Sequence, residues 1–228
     1  MKVSISYPPI ENKLGQKAMV SQNRNVQFFS VPTYLLPITH AQAASALKKK
    51  VKVIWDDGNA QLKNYQKWMD DLVNEKPDLI VFESTTPVMK FMWNTINKVK
   101  EKIENCIVIL SGYHSMRKPL ESFENSKVDI IILSNHVDFV LNNLVDEIIK
   151  NKNSKNIDNL KTNGITFKKK NGEISENFTF KNNEWETQEQ LFLVKGFQPP
   201  LRNFKPRTRF KMKYKVSRRN FKFRLSYQ

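Results

Sequence analysis

The sequence predicts an α/β fold, doubly wound about a parallel sheet. Three observations predict it. Short apolar, β-branched runs alternate with longer segments of helical period through residues 1–150. Each run is five or six residues long and mostly apolar rather than alternating, as strands covered on both faces require. The 228-residue chain holds a single cysteine, so no disulfide framework or Cys-rich metal cluster competes as the organising principle.

The elements follow in order. The first strand is read at Val3–Tyr7. After it, about 30 residues from Pro8 to Pro37 carry Phe28, Phe29, Tyr34 and four prolines. Structureless loops of that length are uncommon in compact domains, and the aromatic content argues against disorder. The stretch is read either as a loop tucked over the sheet edge or as a lid over a crevice. His40 to Lys50 is a small-residue helix, with Ala41, Ala44 and Leu47 inward. The second strand is Val51–Trp55. Tyr65, Trp68, Met69, Leu72 and Val73 then repeat at helical spacing. The third strand, Asp78–Phe82, precedes a stripe of Met92, Trp93, Ile96, Val99 and Ile103. The fourth is Cys106–Leu110, with a short crossover around Pro119–Phe123. The fifth, Val128–Leu133, leads into Val137, Val140, Leu141, Leu144, Val145 and Ile148. Five strands and four crossovers fit the flavodoxin-like order 2-1-3-4-5, whose ligand crevice lies at the carboxyl ends of the strands.

Three segments result: a Rossmann-like domain over 1–150, a linker and hairpin over 151–194, and a basic tail over 195–228. In the second, Asn151–Asn159 is polar, and Gly164–Phe167 and Glu173–Phe180 flank Lys170-Asn171-Gly172. Asn-Gly between such runs signals a hairpin, read here as a surface appendage. The tail takes its name from charge. The chain's net charge is +16, from 38 Lys+Arg against 22 Asp+Glu. Twelve of the basic residues and none of the acidic ones fall in 195–228, leaving a net of +4 before it. No run approaches the roughly 18 apolar residues that span a bilayer, and the N-terminus lacks the apolar core of a signal peptide. A cytoplasmic protein with no membrane partner is expected.

The strand ends exclude several chemistries. Tyr7-Pro8-Pro9-Ile10-Glu11-Asn12 follows strand one with no Gly-x-Gly-x-x-Gly, and no P-loop occurs anywhere. A phosphoacceptor receiver would carry acids after strand one, Asp after strand three and Lys after strand five; Tyr7-Pro8, Glu83 and Ser134 stand there instead. Asp56-Asp57-Gly58 after strand two suits either a ribose hydroxyl or, preferably, the cap of the next helix. Ser84-Thr85-Thr86-Pro87 offers hydroxyls to a ligand's amide or phosphate oxygens, or again a cap. Gly112, in Ser111-Gly112-Tyr113-His114, would let a flat ligand approach the backbone. His40, His114 and His136 show no metal-ligand spacing, and a His at a strand end is more often simply hydrogen-bonded. Cys106, opening an apolar strand, reads as a buried inert thiol. No nucleophile with an adjacent base and no acid/base pair emerges, so no catalytic residue is assigned.

The ordered motifs resemble a known family. Ile5-Ser6-Tyr7-Pro8-Pro9, Pro32-Thr33-Tyr34-Leu35-Leu36-Pro37 before an Ala-rich helix, and Val53-Ile54-Trp55-Asp56-Asp57-Gly58 are similar to the N-terminal cobalamin-binding domain of B12-dependent radical SAM proteins. So are Lys76-Pro77-Asp78-Leu79-Ile80-Val81 with Thr85-Thr86-Pro87, and Val108 to His114 in the place of a Gly-Gly-Pro-His turn. The Gly164 to Glu173 hairpin resembles that family's connector to its catalytic barrel, so the likeness covers residues 1–190. Ser111 stands where the family usually has its first Gly, and Leu133-Ser134-Asn135-His136 replaces a Gly-Glu-Gly-Glu-like turn. The Asp-x-His-x-x-Gly signature of a lower axial ligand is missing, and so is the Cys-x-x-x-Cys-x-x-Cys cluster motif. One Cys cannot hold a [4Fe–4S] cluster.

The resemblance implies a cobalamin-binding module without the iron–sulfur barrel, unable to perform radical chemistry alone. It implies that Tyr7, Ser84, Thr85, Thr86, Gly112, Tyr113, His114 and Ser134 line the cofactor, with no metal ligand from the protein. The tail, where Phe197, Phe204, Phe210, Tyr214, Phe221, Phe223 and Tyr227 interleave with the basic residues, has two readings. Lys and Arg neutralise phosphates and aromatics stack on bases, so a nucleic-acid partner is the alternative function. The favoured reading is a truncated chain whose last residues come from out-of-frame translation of an A/T-rich gene.

Overall fold

A computed structural model of the chain describes residues 1–12, 14, 16, 18–20, 26–28, 37–151 and 157–177. The basic tail, the connector beyond residue 177 and most of the Pro8–Pro37 stretch lie outside the described residues. So do the readings placed on them.

In chain order the elements begin with strand β1 (Lys2–Tyr7) and the short strands β2 (Ala18–Val20) and β3 (Val26–Phe28). Helix α1 (Ile38–Leu47), strand β4 (Lys52–Asp57), helix α2 (Tyr65–Glu75) and strand β5 (Leu79–Glu83) follow. Next come helix α3 (Met89–Lys102), strand β6 (Ile107–Ser111), and the short helices α4 (Tyr113–Arg117) and α5 (Pro119–Asn125). Strand β7 (Ile130–Ile132), helix α6 (Val137–Lys150), and strands β8 (Ile165–Lys168) and β9 (Ile174–Asn177) complete the series.

The sheet is mixed and has seven strands, in the order β4-β1-β5-β6-β7-β8-β9. The neighbours from β4 to β7 pair in parallel, as in Ile5 opposite Trp55 and Val81 opposite Ile109. β8 and β9 are antiparallel additions, with Ile132 opposite Ile165 and Phe167 opposite Ser175. The expectation of a five-stranded sheet is therefore corrected. The hairpin taken for a surface appendage pairs with β7, satisfying the backbone groups of what would otherwise be an open edge. Ile165, Thr166 and Phe167 are all buried there. Its turn reads as expected: Gly172 takes φ +87°, and its N–H donates to the Lys169 carbonyl at 2.9 Å.

The apolar runs are unbroken because alternate residues fill different layers. Val3, Ile5, Leu79, Val81, Ile109, Ile130 and Ile132 pack with Ala43 and Leu47 of α1 and Leu141, Leu144 and Val145 of α6. Ile80, Phe82, Val108, Leu110 and Ile131 pack on the other face with Trp68, Met69 and Leu72 of α2 and Met92, Trp93, Ile96 and Val99 of α3. At about 25 cal/mol per Å² of apolar surface buried, these two layers are the main stabilising term.

Other expectations need correction. Helix α1 starts at Ile38 and buries His40 and Ala43 along with the expected Leu47; Ala44 packs half-buried against the same layer, and Ala41 is half-buried rather than fully inward. A helix of small residues has little apolar contrast, so its sequence marks its inner face weakly. Asp56 and Asp57 do not cap α2. Asn64 does, its Oδ1 accepting from the Lys67 N–H at 2.8 Å. Asp57 instead closes the intervening turn, its Oδ1 accepting from the N–H groups of Asn59 at 3.1 Å and Ala60 at 3.0 Å. Within the stretch read as a loop over the sheet edge or a lid over a crevice, β2 and β3 form an antiparallel pair. Among the described residues, no helix is long and apolar enough to cross a membrane.

Candidate functional site at the carboxyl ends of the strands

The ends of β1, β5 and β6 are adjacent because those strands are neighbours in the sheet, and a hydrogen-bonded chain runs across them. The Tyr7 phenol donates to Glu83 Oε2 at 2.8 Å. His40 Nδ1 lies 3.3 Å from the same oxygen, and His40 Nε2 is 2.9 Å from Ser111 Oγ. Ser111 in turn donates to the Phe82 carbonyl at 3.0 Å. With its own proton committed, the Ser111 oxygen accepts from His40, which places the ring proton on Nε2. The Tyr7 ring also meets His40 edge-on at 6.0 Å and Trp55 at 5.8 Å.

Burial sets the electrostatics of this chain. It pushes the Tyr7 phenol well above its usual range, with the negative charge of Glu83 and its hydrogen bond acting in the same direction. The phenol stays a donor at any physiological pH. Burial also holds the His40 imidazole below its ordinary value, against the opposing pull of Glu83 and Asp138. The charged form of a group removed from water is the one penalised.

Beyond β5, Ser84 and Thr85 are buried. The Ser84 N–H donates to the Ser111 carbonyl at 3.0 Å. Among the described residues their hydroxyls have no partner: Ser84 Oγ and Thr85 Oγ1 are both buried without a hydrogen bond. Thr85 stands at the N-terminus of the short 3₁₀ turn Thr86–Val88 yet makes no side-chain cap, so the capping reading does not account for it. Most buried polar atoms in folded proteins are satisfied, and two adjacent exceptions invite explanation. Gly112 has a packing reason of its own. It takes φ +112°, and a Cβ there would stand 2.0 Å from the Ser84 carbonyl oxygen.

The eight residues expected to line a ligand thus fall into groups. Tyr7, Ser84, Thr85 and Gly112 gather at the ends of β1, β5 and β6. Thr86 and His114 pair with each other through Oγ1 and Nδ1 at 3.2 Å, and His114 Nε2 meets Glu121 Oε2 at 3.2 Å. The simple hydrogen-bonded reading of His114 accounts for both nitrogens. Tyr113 opens α4 with the Arg117 guanidinium 5.4 Å over its ring. Ser134 lies beyond β7, where its Oγ accepts from the His136 N–H at 3.1 Å. Sequence reasoning missed Glu83 and His40 as parts of this site. Glu83, a carboxylate ending an apolar strand, was the available signal; nothing in the sequence ties His40 to it.

Comparison with solved structures decides the fold relationship. The chain superposes on the cobalamin-dependent S-adenosylmethionine radical enzyme OxsB, solved with aqua-cobalamin and S-adenosylmethionine bound, with a TM-score of 0.57 at 18% identity. It superposes on the radical S-adenosylmethionine methyltransferase TsrM from Kitasatospora setae, solved with cobalamin and a [4Fe-4S] cluster, with a TM-score of 0.56 at 12% identity. Its fold is shared with cobalamin-dependent radical enzymes. The match covers 80% of this chain and 23% of OxsB, and 79% of this chain and 30% of TsrM. The chain therefore spans less than a third of the length of either enzyme. No protein-family model matches the sequence, and no curated protein is similar to it. At such identities the likeness is one of fold.

Proposed function

We propose that this chain is a cobalamin-binding module, corresponding to the cobalamin-binding region of B12-dependent radical S-adenosylmethionine enzymes. One observation carries the reading: the chain shares its fold over 80% of its length with OxsB, which was solved with aqua-cobalamin bound. The chemistry of the crevice is compatible with it. Ser84 Oγ and Thr85 Oγ1 are buried hydroxyls without partners, suited to a ligand rich in amide and phosphate oxygens, and leaving such groups unpaired costs about 1–3 kcal/mol each. Gly112 keeps the turn after β6 free of a side chain beside them.

In this reading Ser84 and Thr85 hold the cofactor by hydrogen bonds, and Tyr7 forms an aromatic floor fixed by Glu83. Thr86, Tyr113, His114 and Ser134 are the outer lining. Bound cobalamin would supply the reactive cobalt, while the protein binds, orients and shields it. His114 is committed to Thr86 and Glu121, and in this reading it is not assigned as a ligand to the metal.

The test is an absorbance titration of the purified chain with hydroxocobalamin. Saturable spectral change with co-elution on gel filtration is expected. A titration that stays silent at high micromolar concentration would overturn the proposal.

A further inference from the structure

Strand β4 is an edge of the sheet among the described residues, with β1 as its neighbour. The Lys52 N–H donates to the Met1 carbonyl at 3.2 Å and the Gly58 N–H to the Tyr7 carbonyl at 2.9 Å. With the parallel register between them, this turns the even-numbered residues of β4 toward β1. The N–H and C=O groups of Val53 and Trp55 therefore point outward, and among the described residues they take no partner. The outward row ends at Asp57, whose carbonyl accepts from the Gln61 N–H at 2.9 Å. Sheet edges are commonly blunted by a proline, a bulge or a charge in mid-strand. Val53-Ile54-Trp55 has none of these, and all three side chains are half-buried. An open cleft of about 390 Å³, lined by Ile54, Trp55, Asp56, Asp71 and Glu75 among others, lies beside the strand.

The charges along this edge are sorted by sign. Lys48, Lys49, Lys50 and Lys52 stand at its amino end, Asp56 and Asp57 at its carboxyl end. Lys50 is held by Asp146 at 2.6 Å, whereas the Lys52 side chain is 62% exposed and 3.7 Å from Glu75. A copy of the strand laid parallel would set like charges together; one laid antiparallel sets basic end against acidic end twice. One antiparallel register satisfies the whole edge. With Ile54 opposite Ile54 of a second copy, Val53 lies opposite Trp55 on each side of the two-fold axis. Each such pair exchanges both backbone hydrogen bonds, so all the outward groups of Val53 and Trp55 are spent. The facing side chains are then apolar on apolar at Ile54, aromatic on β-branched at Trp55 and Val53, and Lys52 on Asp56, pairings that stabilise neighbouring strands. Centring the pair on Val53 instead brings Lys52 opposite Ile54, and centring it on Trp55 brings Lys52 opposite Gly58; both lose the ion pairs.

We propose that the chain forms a symmetric dimer by antiparallel pairing of β4 with β4 of a second copy, joining two seven-stranded sheets into one. The same patch serves both copies, as a two-fold interface requires. The pairing surface is the lateral edge of the sheet rather than the ends of the strands, so the inference does not rest on the cobalamin reading.

The test is analytical ultracentrifugation of the full chain from about 1 to about 100 μM. A reversible equilibrium is expected between the 26.8 kDa chain and a species of twice that mass, weakening as salt is raised. Val53→Pro removes an outward donor from each copy and no bond to β1, so it should raise the dissociation constant at least about tenfold while the far-UV spectrum stays native. Lys52→Glu should weaken the dimer in the same sense by facing Asp56 with a second acid. The register has its own readout. Ile54→Cys sets two thiols against each other at the two-fold axis and should give a reducible covalent dimer on mild oxidation. Lys52→Cys, more exposed but opposite Asp56, should not, and the native Cys106 is buried. A chain that stays monomeric to about 100 μM overturns the proposal, as does a dimer that Val53→Pro leaves intact. If that variant does not fold, Ile54→Cys decides, and crosslinking no stronger than in Lys52→Cys is the overturning result.

Discussion

Gly112 leaves room for the carbonyl of Ser84, which would otherwise meet a Cβ at 2.0 Å. That contact joins the turn after β6 to the turn after β5, beside the Ser84 N–H to Ser111 carbonyl bond. Any side chain at 112 must also adopt φ +112°, a region that penalises residues with a Cβ. Gly112→Ala should therefore destabilise the protein by about 3 kcal/mol or more, combining backbone strain with overpacking. Urea unfolding at neutral pH measures it. A loss below about 0.5 kcal/mol, the range of ordinary surface changes, would contradict the packing role.

Asn64→Ala should cost about 1 kcal/mol, because Asn64 Oδ1 is the cap of α2. Asp57→Ala should lower stability by a comparable amount through the turn it closes with Asn59 and Ala60. Its effect should be separate from the helix: far-UV helicity is expected to fray in the first variant more than in the second.

How far the sequence foretold these features depends on the range of the interaction. The parallel strands were legible because Leu79-Ile80-Val81-Phe82 and Ile107-Val108-Ile109-Leu110 serve two apolar layers at once, leaving a mark no amphipathic strand has. The hairpin was legible from Asn171-Gly172, but its pairing with β7 was not. That pairing joins Ile132 to Ile165 across α6, and local turn chemistry carries no record of it. The cap of α2 was misplaced for a related reason: Asp57 and Asn64 are both good cap residues, and the turn between them decides which serves the helix. In the site, the strand-end rule located Tyr7, Ser84, Thr85 and Gly112. The Glu83–His40 contact escaped it because it depends on which way α1 faces, and the Ala-rich sequence of α1 says little about that.

Lys63 pairs with buried Asp56 at 2.8 Å, and this gives a pH-dependent prediction. Burial already raises the Asp56 pKa, while Lys63 pulls it down through its hydrogen bond and charge. Lys63→Met removes that pull, so the folded-state pKa rises further above the unfolded value. A carboxyl raised in this way favours the fold while protonated and loses that contribution as pH rises through the folded value. The deficit of the variant should thus be small in acid and full at neutral pH, where about 1–3 kcal/mol is expected for an unpaired buried carboxylate. Urea midpoints compared at about pH 4.5 and about pH 7 test it; a deficit independent of pH would count against the pairing.

The hydroxyls of Ser84 and Thr85 separate a structural from a ligand-binding role. Neither makes a hydrogen bond although both are buried, so removing them deprives the fold of nothing and relieves a desolvation cost. The double variant Ser84→Ala, Thr85→Val should unfold at the same or a slightly higher urea concentration than the native chain. If the same hydroxyls hold cobalamin, its affinity should nevertheless fall, by about tenfold for each hydrogen bond of roughly 1.4 kcal/mol that is lost. The absorbance titration with hydroxocobalamin reads this directly. Unchanged affinity with unchanged stability would remove both residues from the cofactor site, whereas loss of stability would mean that the hydroxyls support the turn after β5 instead.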